Sequence, residues 1–267
     1  MKTCAVWAAL LSLWVGTCAG LSWPFSRISK YLSKDESWYV SEEGKTAAEN
    51  VLSWQDEYGG WPKNLNTAAK PFSGDRKELH GTFDNGATVG EMRFMARMFR
   101  ATQEARYQEA FLKGLDLIFR AQYPTGGWPQ FFPPPEKSYH RHITFNDNTM
   151  VNILMMLEEI ASSPDYAFLQ PDRRAAAKEA FQRGIDCILK CQIRVNGQLT
   201  VWCAQHDEKD YSPCPARSYE LASLSGGESA DILSLLMRIE NPSAPIVRAV
   251  VSGAGWFEKS GIEGLRI

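Results

Sequence analysis

The sequence predicts an all-α fold, an α/α toroid built from repeated helical hairpins. A turn motif carries this prediction. The eight residues from Gln55 to Pro62 (QDEYGGWP) return from Gln122 to Pro129 (QYPTGGWP), and a weaker copy runs from Gln192 to Trp202. Between the copies, apolar residues recur with helical spacing, while strand signals are sparse. Hairpins of this length bury both faces only by stacking, which predicts a partial barrel with the turns on one rim.

Six helices follow from apolar residues spaced three or four apart. They fall within residues 89–99, 111–118, 150–157, 185–189, 232–239 and 246–257. Pro242 and Pro245 separate the last two helices, because proline ends one helix and starts the next. Taken in consecutive pairs, the helices form the hairpins of a repeat that is about seventy residues long.

Length and charge limit the possible functions. The chain has 267 residues, with 29 Lys and Arg against 31 Asp and Glu and a formal net charge of -2. Without a basic surplus, binding of nucleic acid or of an anionic membrane over the whole surface is not expected. We predict one toroid domain over residues 41–267, after a short lead segment at 21–40, and a monomeric protein.

The N-terminus has the order of a secretory signal. Lys2 precedes an apolar stretch, and the small residues Gly16, Ala19 and Gly20 follow it. This pattern predicts that residues 1–20 form a signal peptide that is removed on export. The apolar stretch is too short to span a bilayer comfortably, so we expect a secreted protein, extracellular or periplasmic, without stable membrane association.

Four cysteines remain after such a signal. An oxidising compartment would permit a disulfide, and Cys203 with Cys214 is the favoured pair. Cys187 and Cys191 lie four apart on a predicted helix, too far for an unstrained disulfide, and are expected to be buried thiols. A zinc site formed by these cysteines with His206 is an alternative, although no C-x2-C pair occurs.

An acidic segment follows each complete turn motif. Thr82-Phe-Asp-Asn85 and Thr144-Phe-Asn-Asp147 both precede a predicted helix. Their side chains could cap the helix N-termini. Two carboxylates with two amides on one rim would also suit calcium, which prefers oxygen ligands, and the two roles can coexist. The tryptophans of the turns, Trp61 and Trp128, are expected to pack in the core rather than stack on sugars.

Basic residues lie in or beside the same segments and suit a polyanionic ligand. Lys63 follows the first turn, and His140, Arg141 and His142 precede the second acidic segment. A surface or hydrogen-bonded role is the simpler interpretation of each histidine. An arginine farther along, Arg217, lies in a loop that contains neighbouring prolines, where a surface charge is the ordinary expectation.

Several segments in the same order resemble the family 10 polysaccharide lyases, the pectate lyases. The resemblance spans roughly residues 47–257. It rests on the segments YGGWP at 58–62, GGWPQF at 126–131, RHITFND at 141–147, TVW at 200–202, QHD at 205–207 and ARSYE at 216–220.

This resemblance implies an α/α toroid, calcium bound by Asp84, Asn85 and Asp147, and Arg217 as the base that removes the C5 proton of galacturonate. Cleavage would be a β-elimination of polygalacturonate (pectate), with calcium on the substrate carboxylate. The predicted substrate-binding residues, which lie in or beside these motifs, are Lys63, Arg141, His142 and Tyr219.

One departure and two alternatives accompany this prediction. The family contributes a further substrate-facing arginine beyond the matched region, so we expect a toroid that is incomplete at the C-terminus. A pectate-binding toroid without catalysis is one alternative. A terpenoid-cyclase-like enzyme is the other, since its turns are similar, but the required Asp-x-Asp-Asp motif does not occur in the sequence.

Overall fold

The computed structural model describes residues 27–261, and helices dominate this part of the chain. The predicted signal peptide at 1–20 lies outside the described residues. The α-helices are α1 (Ser29–Leu32), α2 (Glu36–Val40), α3 (Glu42–Ser53), α4 (Val89–Thr102), α5 (Ala105–Ala121), α6 (Thr149–Ser162), α7 (Pro171–Cys191), α8 (Gly226–Met237) and α9 (Ala244–Ser260). Short 3-10 turns occupy Arg76–Glu78, Asp84–Gly86, Tyr139–Arg141, Asn146–Asn148 and Pro164–Tyr166.

Four two-residue strands form two small antiparallel ladders in the loops. They are β1 (Ile143–Thr144), β2 (Arg194–Val195), β3 (Gln198–Leu199) and β4 (Gln205–His206). Strand β1 pairs with β4, and β2 pairs with β3. The first ladder matters for the site, because it joins the segment before α6 to a loop that follows α7.

The helices pair as the sequence predicts. Helix α4 packs on α5, α6 on α7, and α8 on α9, while α4, α6 and α8 also contact one another in series. This arrangement gives an inner layer of α4, α6 and α8 and an outer layer of α5, α7 and α9, and it confirms the α/α toroid. Helices α1 and α2 pack on α4, which joins the described part of the lead segment to the first hairpin.

A glutamine and a tryptophan fix each copy of the turn. The glutamine Nε2 donates to a carbonyl within its own turn and to a carbonyl of the next outer helix. The acceptor pairs are Gly59 and Ala110 for Gln55, Gly126 and Ala180 for Gln122, and Thr200 and Ala249 for Gln192. Repetition of this pattern in all three copies confirms the weak third repeat.

The three tryptophans of the turns are core residues, as predicted for Trp61 and Trp128. Trp61, Trp128 and Trp202 are each 0% exposed. Each indole N–H donates to a carbonyl of the helix that precedes its turn at 2.8 Å, the acceptors being Val51, Ile118 and Ile188. A buried indole needs such an acceptor, so the tryptophan anchors each turn to a helix by packing and by hydrogen bonding.

Glycine is required where the turns meet the next outer helix. Gly59 and Gly126 have φ values of +103° and +96°. A Cβ atom at Gly59 would lie 2.4 Å from the carbonyl oxygen of Lys113, and one at Gly126 would lie 2.2 Å from that of Arg183. Only glycine combines this backbone conformation with so close an approach.

The predicted disulfide is wrong. Cys203 and Cys214 are free thiols, and Sγ of Cys203 lies 3.6 Å from the backbone oxygen of Cys214 rather than bonding its sulfur. The backbone N–H of Cys214 donates to the carbonyl of Gln205, which positions Cys214 beside β4. The prediction of buried thiols at Cys187 and Cys191 is confirmed.

The alternative zinc site with His206 is also not formed. This histidine is fully buried between β4 and the loop that follows. Its Nε2 accepts from the N–H of Cys203 at 3.2 Å, and its Nδ1 donates to the carbonyl of Tyr211 at 2.8 Å. Both ring nitrogens are therefore used, and burial lowers the pKa of His206 to about 4. Within residues 27–261, no helix is long and apolar enough to cross a membrane.

Candidate active site

Two 3-10 turns, Asp84–Gly86 and Asn146–Asn148, lie side by side at the starts of α4 and α6. Each is tied to a core tryptophan, because the N–H of Thr82 donates to Trp61 and that of Thr144 donates to Trp128. The core of the toroid therefore sets the positions of both turns on one rim, as the repeat predicts.

The two turns have the same backbone but different carboxylate positions. Asn85 and Asp147 both adopt the left-handed conformation, with φ values of 53° and 52°. Asn and Asp tolerate this conformation better than other residues with a Cβ. Asp84 therefore corresponds in position to Asn146, and Asp147 corresponds to Asn85. Because the acid and the amide exchange places, the two aspartates occupy non-equivalent positions of adjacent turns.

The capping role considered for the acidic residues is not observed. Helix α4 starts after Thr88 and helix α6 after Asn148, and neither N-cap has a side-chain hydrogen bond to its helix. Asp84 and Asp147 lie four residues and one residue before these caps. Neither carboxylate is therefore used to cap a helix.

Asp84 is a buried carboxylate with one oxygen unused. It is 0% exposed, and its Oδ2 accepts a hydrogen bond from Nζ of Lys63. Its Oδ1 is buried and has no hydrogen-bond partner. Burial of an unsatisfied carboxylate oxygen is costly, so this atom is a natural ligand for a cation.

Asp147 faces Asp84. Its Oδ2 accepts a hydrogen bond of 2.6 Å from Nδ2 of Asn146. Although the residue as a whole is exposed, its carboxyl group is partly shielded. That burial, and next the charge of Asp84, raise the pKa of Asp147 to about 6, while Lys63 acts in the opposite direction. Two carboxylates forced together in this way are stabilised by a shared cation.

Asn85 completes the predicted oxygen ligands. Its Nδ2 donates to Oδ1 of Asn64 at 3.1 Å, which fixes the amide and leaves its side-chain oxygen as a free acceptor. Carboxylate and amide oxygens form the donor set preferred by a hard divalent cation such as calcium. The unpartnered oxygen of Asp84 and this donor set therefore fit the predicted metal.

Glu228 joins the same rim and was missed from the sequence. It lies in the first turn of α8 and accepts a hydrogen bond from Oγ of Ser225. The N–H of Ser225 donates to Trp202, just as Thr82 and Thr144 bond the other two tryptophans. Glu228 follows Ser225 by three residues, and its charge also raises the pKa of Asp147. Extending the repeat to its third copy would have identified this acid.

Arg217, the predicted base, lies in an exposed loop. Its guanidinium forms a bidentate ion pair with Glu220, and the hydrogen bond between them raises the pKa of Arg217. The guanidinium carbon lies 5.4 Å from the ring centroid of Tyr219, which is 73% exposed. None of the contacts described joins Arg217 to Asp84 or Asp147, so its catalytic role stays a prediction.

The other predicted substrate-binding residues have partners within the protein. Lys63 is paired with Asp84. Arg141 donates to Glu208 at 2.6 Å and to the carbonyl of Glu136 at 2.8 Å. His142 lies beside Glu208. Pairing of these residues with uronate carboxylates would therefore replace contacts that they make within the protein.

The helical toroid is the fold of the polysaccharide lyases to which the chain is similar in structure. The chain belongs to the pectic acid lyase family, whose model matches residues 55–267. No significant match was found among curated proteins.

Two solved structures are similar to this chain over most of its length. A family 10 polysaccharide lyase from Cellvibrio cellulosa is 39% identical with a TM-score of 0.73, over 86% of this chain and 70% of that one. An aspartate-to-alanine mutant of the Cellvibrio family 10 lyase, in complex with trigalacturonic acid, is 38% identical with the same TM-score, over 86% of this chain and 71% of that one.

Proposed function

We propose that the protein is a calcium-dependent pectate lyase that cleaves α-1,4-linked polygalacturonate by β-elimination. The observation that carries the proposal is the buried Asp84, whose unpartnered Oδ1 lies on the rim that it shares with Asp147. Asp84, Asn85 and Asp147 would hold the ion. The related lyase solved with trigalacturonic acid supports an oligogalacturonate as the substrate class.

The metal ligands and Arg217 would have different roles in the reaction: the bound ion would make the C5 proton more acidic, and Arg217 would remove it. A bound calcium ion would offset the negative charge that develops on the uronate as its C5 proton leaves. Arg217 would accept that proton, and the C5 electron pair would form the C4–C5 double bond. The C4–O bond would break with its electron pair on the leaving oxygen, which would take up a proton from water. Glu220 must release Arg217 for this step, since their ion pair stabilises the protonated guanidinium.

Substrate carboxylates would bind the cations near the rim. Lys63 is one-third exposed, so a calcium ion on Asp84 would free its ammonium group for a neighbouring uronate. Arg141 has a similarly exposed side chain and could exchange the carbonyl of Glu136 for a substrate oxygen. His142 and Tyr219 would contribute polar and ring contacts from the flanking loops.

The direct test is a polygalacturonate assay followed at the absorbance of the unsaturated uronate product. We expect product formation with calcium, loss of activity with a chelator, and recovery when calcium is added back. Turnover should increase toward alkaline pH, because a neutral arginine is rare below its pKa. Cleavage that is insensitive to chelation would contradict the calcium role.

A pectate-binding toroid without catalysis is the second candidate. The local ion pair between Arg217 and Glu220 favours it, because this arrangement keeps the proposed base protonated. Retention of the protein on a polygalacturonate gel, with no absorbance change in solution, would support this candidate over the lyase.

We further propose that the protein is exported. The proposal rests on the order of Lys2, the apolar stretch after it, and the small residues near Gly20. N-terminal sequencing of the protein recovered outside the cytoplasm should find a mature chain that starts near Leu21. Recovery of an intact Met1 terminus would argue against export.

A further inference from the structure

A three-stranded patch outside the acidic rim brings together a histidine, an aspartate and a cysteine. Strand β1 pairs with β4 so that Ile143 lies opposite His206, which places His142 opposite Asp207. On the other side of β4, the N–H of Cys214 donates to Gln205 at 2.9 Å. Residues 205 and 207 point to one face of the strand, and residues directly opposite them share that face. The side chains of His142, Asp207 and Cys214 therefore converge.

The three ligand atoms have the spacing of a metal site. One atom each from His142, Asp207 and Cys214 can be chosen so that all lie within 4.8 Å of one another. Zinc bonds of about 2.0 to 2.3 Å place tetrahedral ligand atoms roughly 3.3 to 3.8 Å apart, so the side chains would have to move together by up to about 1.5 Å on binding. A nitrogen, an oxygen and a sulfur form a set that zinc accepts and that calcium does not.

Glu208 provides an independent observation at the same place. Its side chain is 9% exposed, and its Oε1 accepts from Arg141. Its Oε2 and Nδ1 of His142 are both buried without a hydrogen-bond partner and lie 3.5 Å apart. A carboxylate beside one nitrogen of a histidine is the usual partner when the other nitrogen binds a metal, because it fixes the ring and its tautomer.

We propose that His142, Asp207 and Cys214 form a zinc site, with Glu208 as the partner that orients His142. Nε2 of His142, a carboxylate oxygen of Asp207 and Sγ of Cys214 would be the ligands, and water would fill the fourth position. This site shares no residue with the predicted calcium ligands Asp84, Asn85 and Asp147. It does use His142, which would bind zinc rather than the substrate.

The surroundings already hold the ligands in place. Oδ1 of Asp207 accepts from the N–H groups of Lys209 and Asp210 at 2.8 and 3.3 Å, which fixes this carboxylate and leaves Oδ2 for the metal. The charges also balance. The Asp207 carboxylate and a Cys214 thiolate neutralise a divalent ion, while Glu208 is neutralised by Arg141.

The zinc site would fix the loop that carries the proposed base. Asp207 and Cys214 lie at the two ends of a loop that continues within three residues to Arg217. His142 anchors the same metal to the segment before α6. Zinc would therefore have a structural role, holding residues 207–217 against the toroid without contacting the substrate.

The experiment is a zinc titration of the metal-stripped, full-length protein under reducing conditions, with calcium present in excess. We expect about one zinc ion per chain, and a thiolate-to-metal absorption band when cobalt replaces zinc. Cys214→Ser should abolish the band, and His142→Gln and Asp207→Asn should weaken zinc binding at least about tenfold. Glu208→Gln should weaken zinc binding about 10- to 100-fold.

Two matched controls keep the residue types but lie outside the proposed site. Asp210→Asn and Cys187→Ser should leave zinc binding unchanged.

A second measurement keeps the proposal testable if a variant fails to fold. In the unmodified protein, zinc should slow alkylation of Cys214, read by peptide mass spectrometry, without changing the rate at Cys203. Absence of stoichiometric zinc, unchanged zinc affinity in a folded Cys214→Ser variant, or a Cys203–Cys214 disulfide in the protein as isolated would overturn the site.

Discussion

The acidic turns at the starts of α4 and α6 and the loop at residues 213–220 carry the two halves of the proposed chemistry, and they are built differently. The turns are tied by backbone hydrogen bonds to buried tryptophans, and Asp84 is fully buried. The loop is exposed and is held by the ion pair between Arg217 and Glu220. The toroid thus pre-organises the predicted metal ligands, whereas the predicted base depends on a local contact that binding must change.

The largest effect is expected at the acidic turns. Asp84→Asn should reduce lyase activity roughly 100- to 1,000-fold, because it removes a charged ligand from the site that stabilises the developing negative charge. The measurement is kcat/KM on polygalacturonate at saturating calcium, with circular dichroism to confirm folding. Asp172→Asn, at an exposed position in the first turn of α7, is the control and should be active. If the activity of Asp84→Asn were close to that of the control, Asp84 would not be part of the active site.

A somewhat smaller loss is expected in the loop. Arg217→Lys keeps the positive charge but loses the guanidinium geometry, so kcat should fall about 100-fold. Calcium affinity should stay unchanged, because Arg217 contacts neither aspartate in the structure. The exposed Arg194→Lys is a matched control. If Arg217→Lys formed the unsaturated product at the normal rate, another group would have to remove the proton.

The pH dependence of calcium binding tests the acidic turns without involving the loop that carries Arg217. The pKa of Asp147 is about 6 instead of 3.8, so its protonated form competes with calcium as the pH falls. Calcium affinity should therefore fall about tenfold between pH 7 and pH 5. Without calcium, the stability of the folded protein changes with pH in the opposite direction. The folded state binds more protons than the unfolded state, so stability falls as the pH rises from about 4 to 6.

Asp147→Asn should remove both pH effects. Calorimetric titrations at several pH values measure the first, and thermal unfolding of the metal-free protein measures the second. A calcium affinity that is constant across this pH range in the unmodified protein would show that Asp147 is not a ligand.

The smallest effect is expected at Tyr219. Because its ring is 73% exposed and lies against the guanidinium of Arg217, Tyr219→Ala should raise KM about threefold and leave kcat nearly constant. Leu221→Ala, which is equally exposed in the same loop, is the control. A large loss of kcat for Tyr219→Ala would mean that the ring positions Arg217 for catalysis.

The repeat explains how much of this architecture could be predicted from the sequence. The helices, the buried Trp61 and Trp128, and the placement of Asp84 and Asp147 on one rim all follow from features that recur at a fixed spacing. Such features report local structure and the register of one hairpin against the next. The repeat also has a third copy. Its acidic residue, Glu228, was overlooked because a longer loop separates it from Trp202.

Contacts between loops could not be predicted in the same way. A disulfide between Cys203 and Cys214 was predicted, but both are free thiols, and Sγ of Cys203 contacts the backbone oxygen of Cys214 beside the segment that pairs with β4. The partner of Arg141 is Glu208, which lies 67 residues away and in no repeated motif. These contacts depend on the path of two irregular segments, for which composition and periodicity carry no signal.

The measurement that tests the central claim most directly is calcium binding by isothermal titration calorimetry at neutral pH. The unmodified protein is compared with Asp84→Asn, Asp147→Asn and the exposed control Asp210→Asn. We predict one calcium ion per chain in the unmodified and control proteins, and binding weakened at least about tenfold in each rim variant. Calcium binding of equal affinity in all four proteins would contradict a calcium site between the two acidic turns.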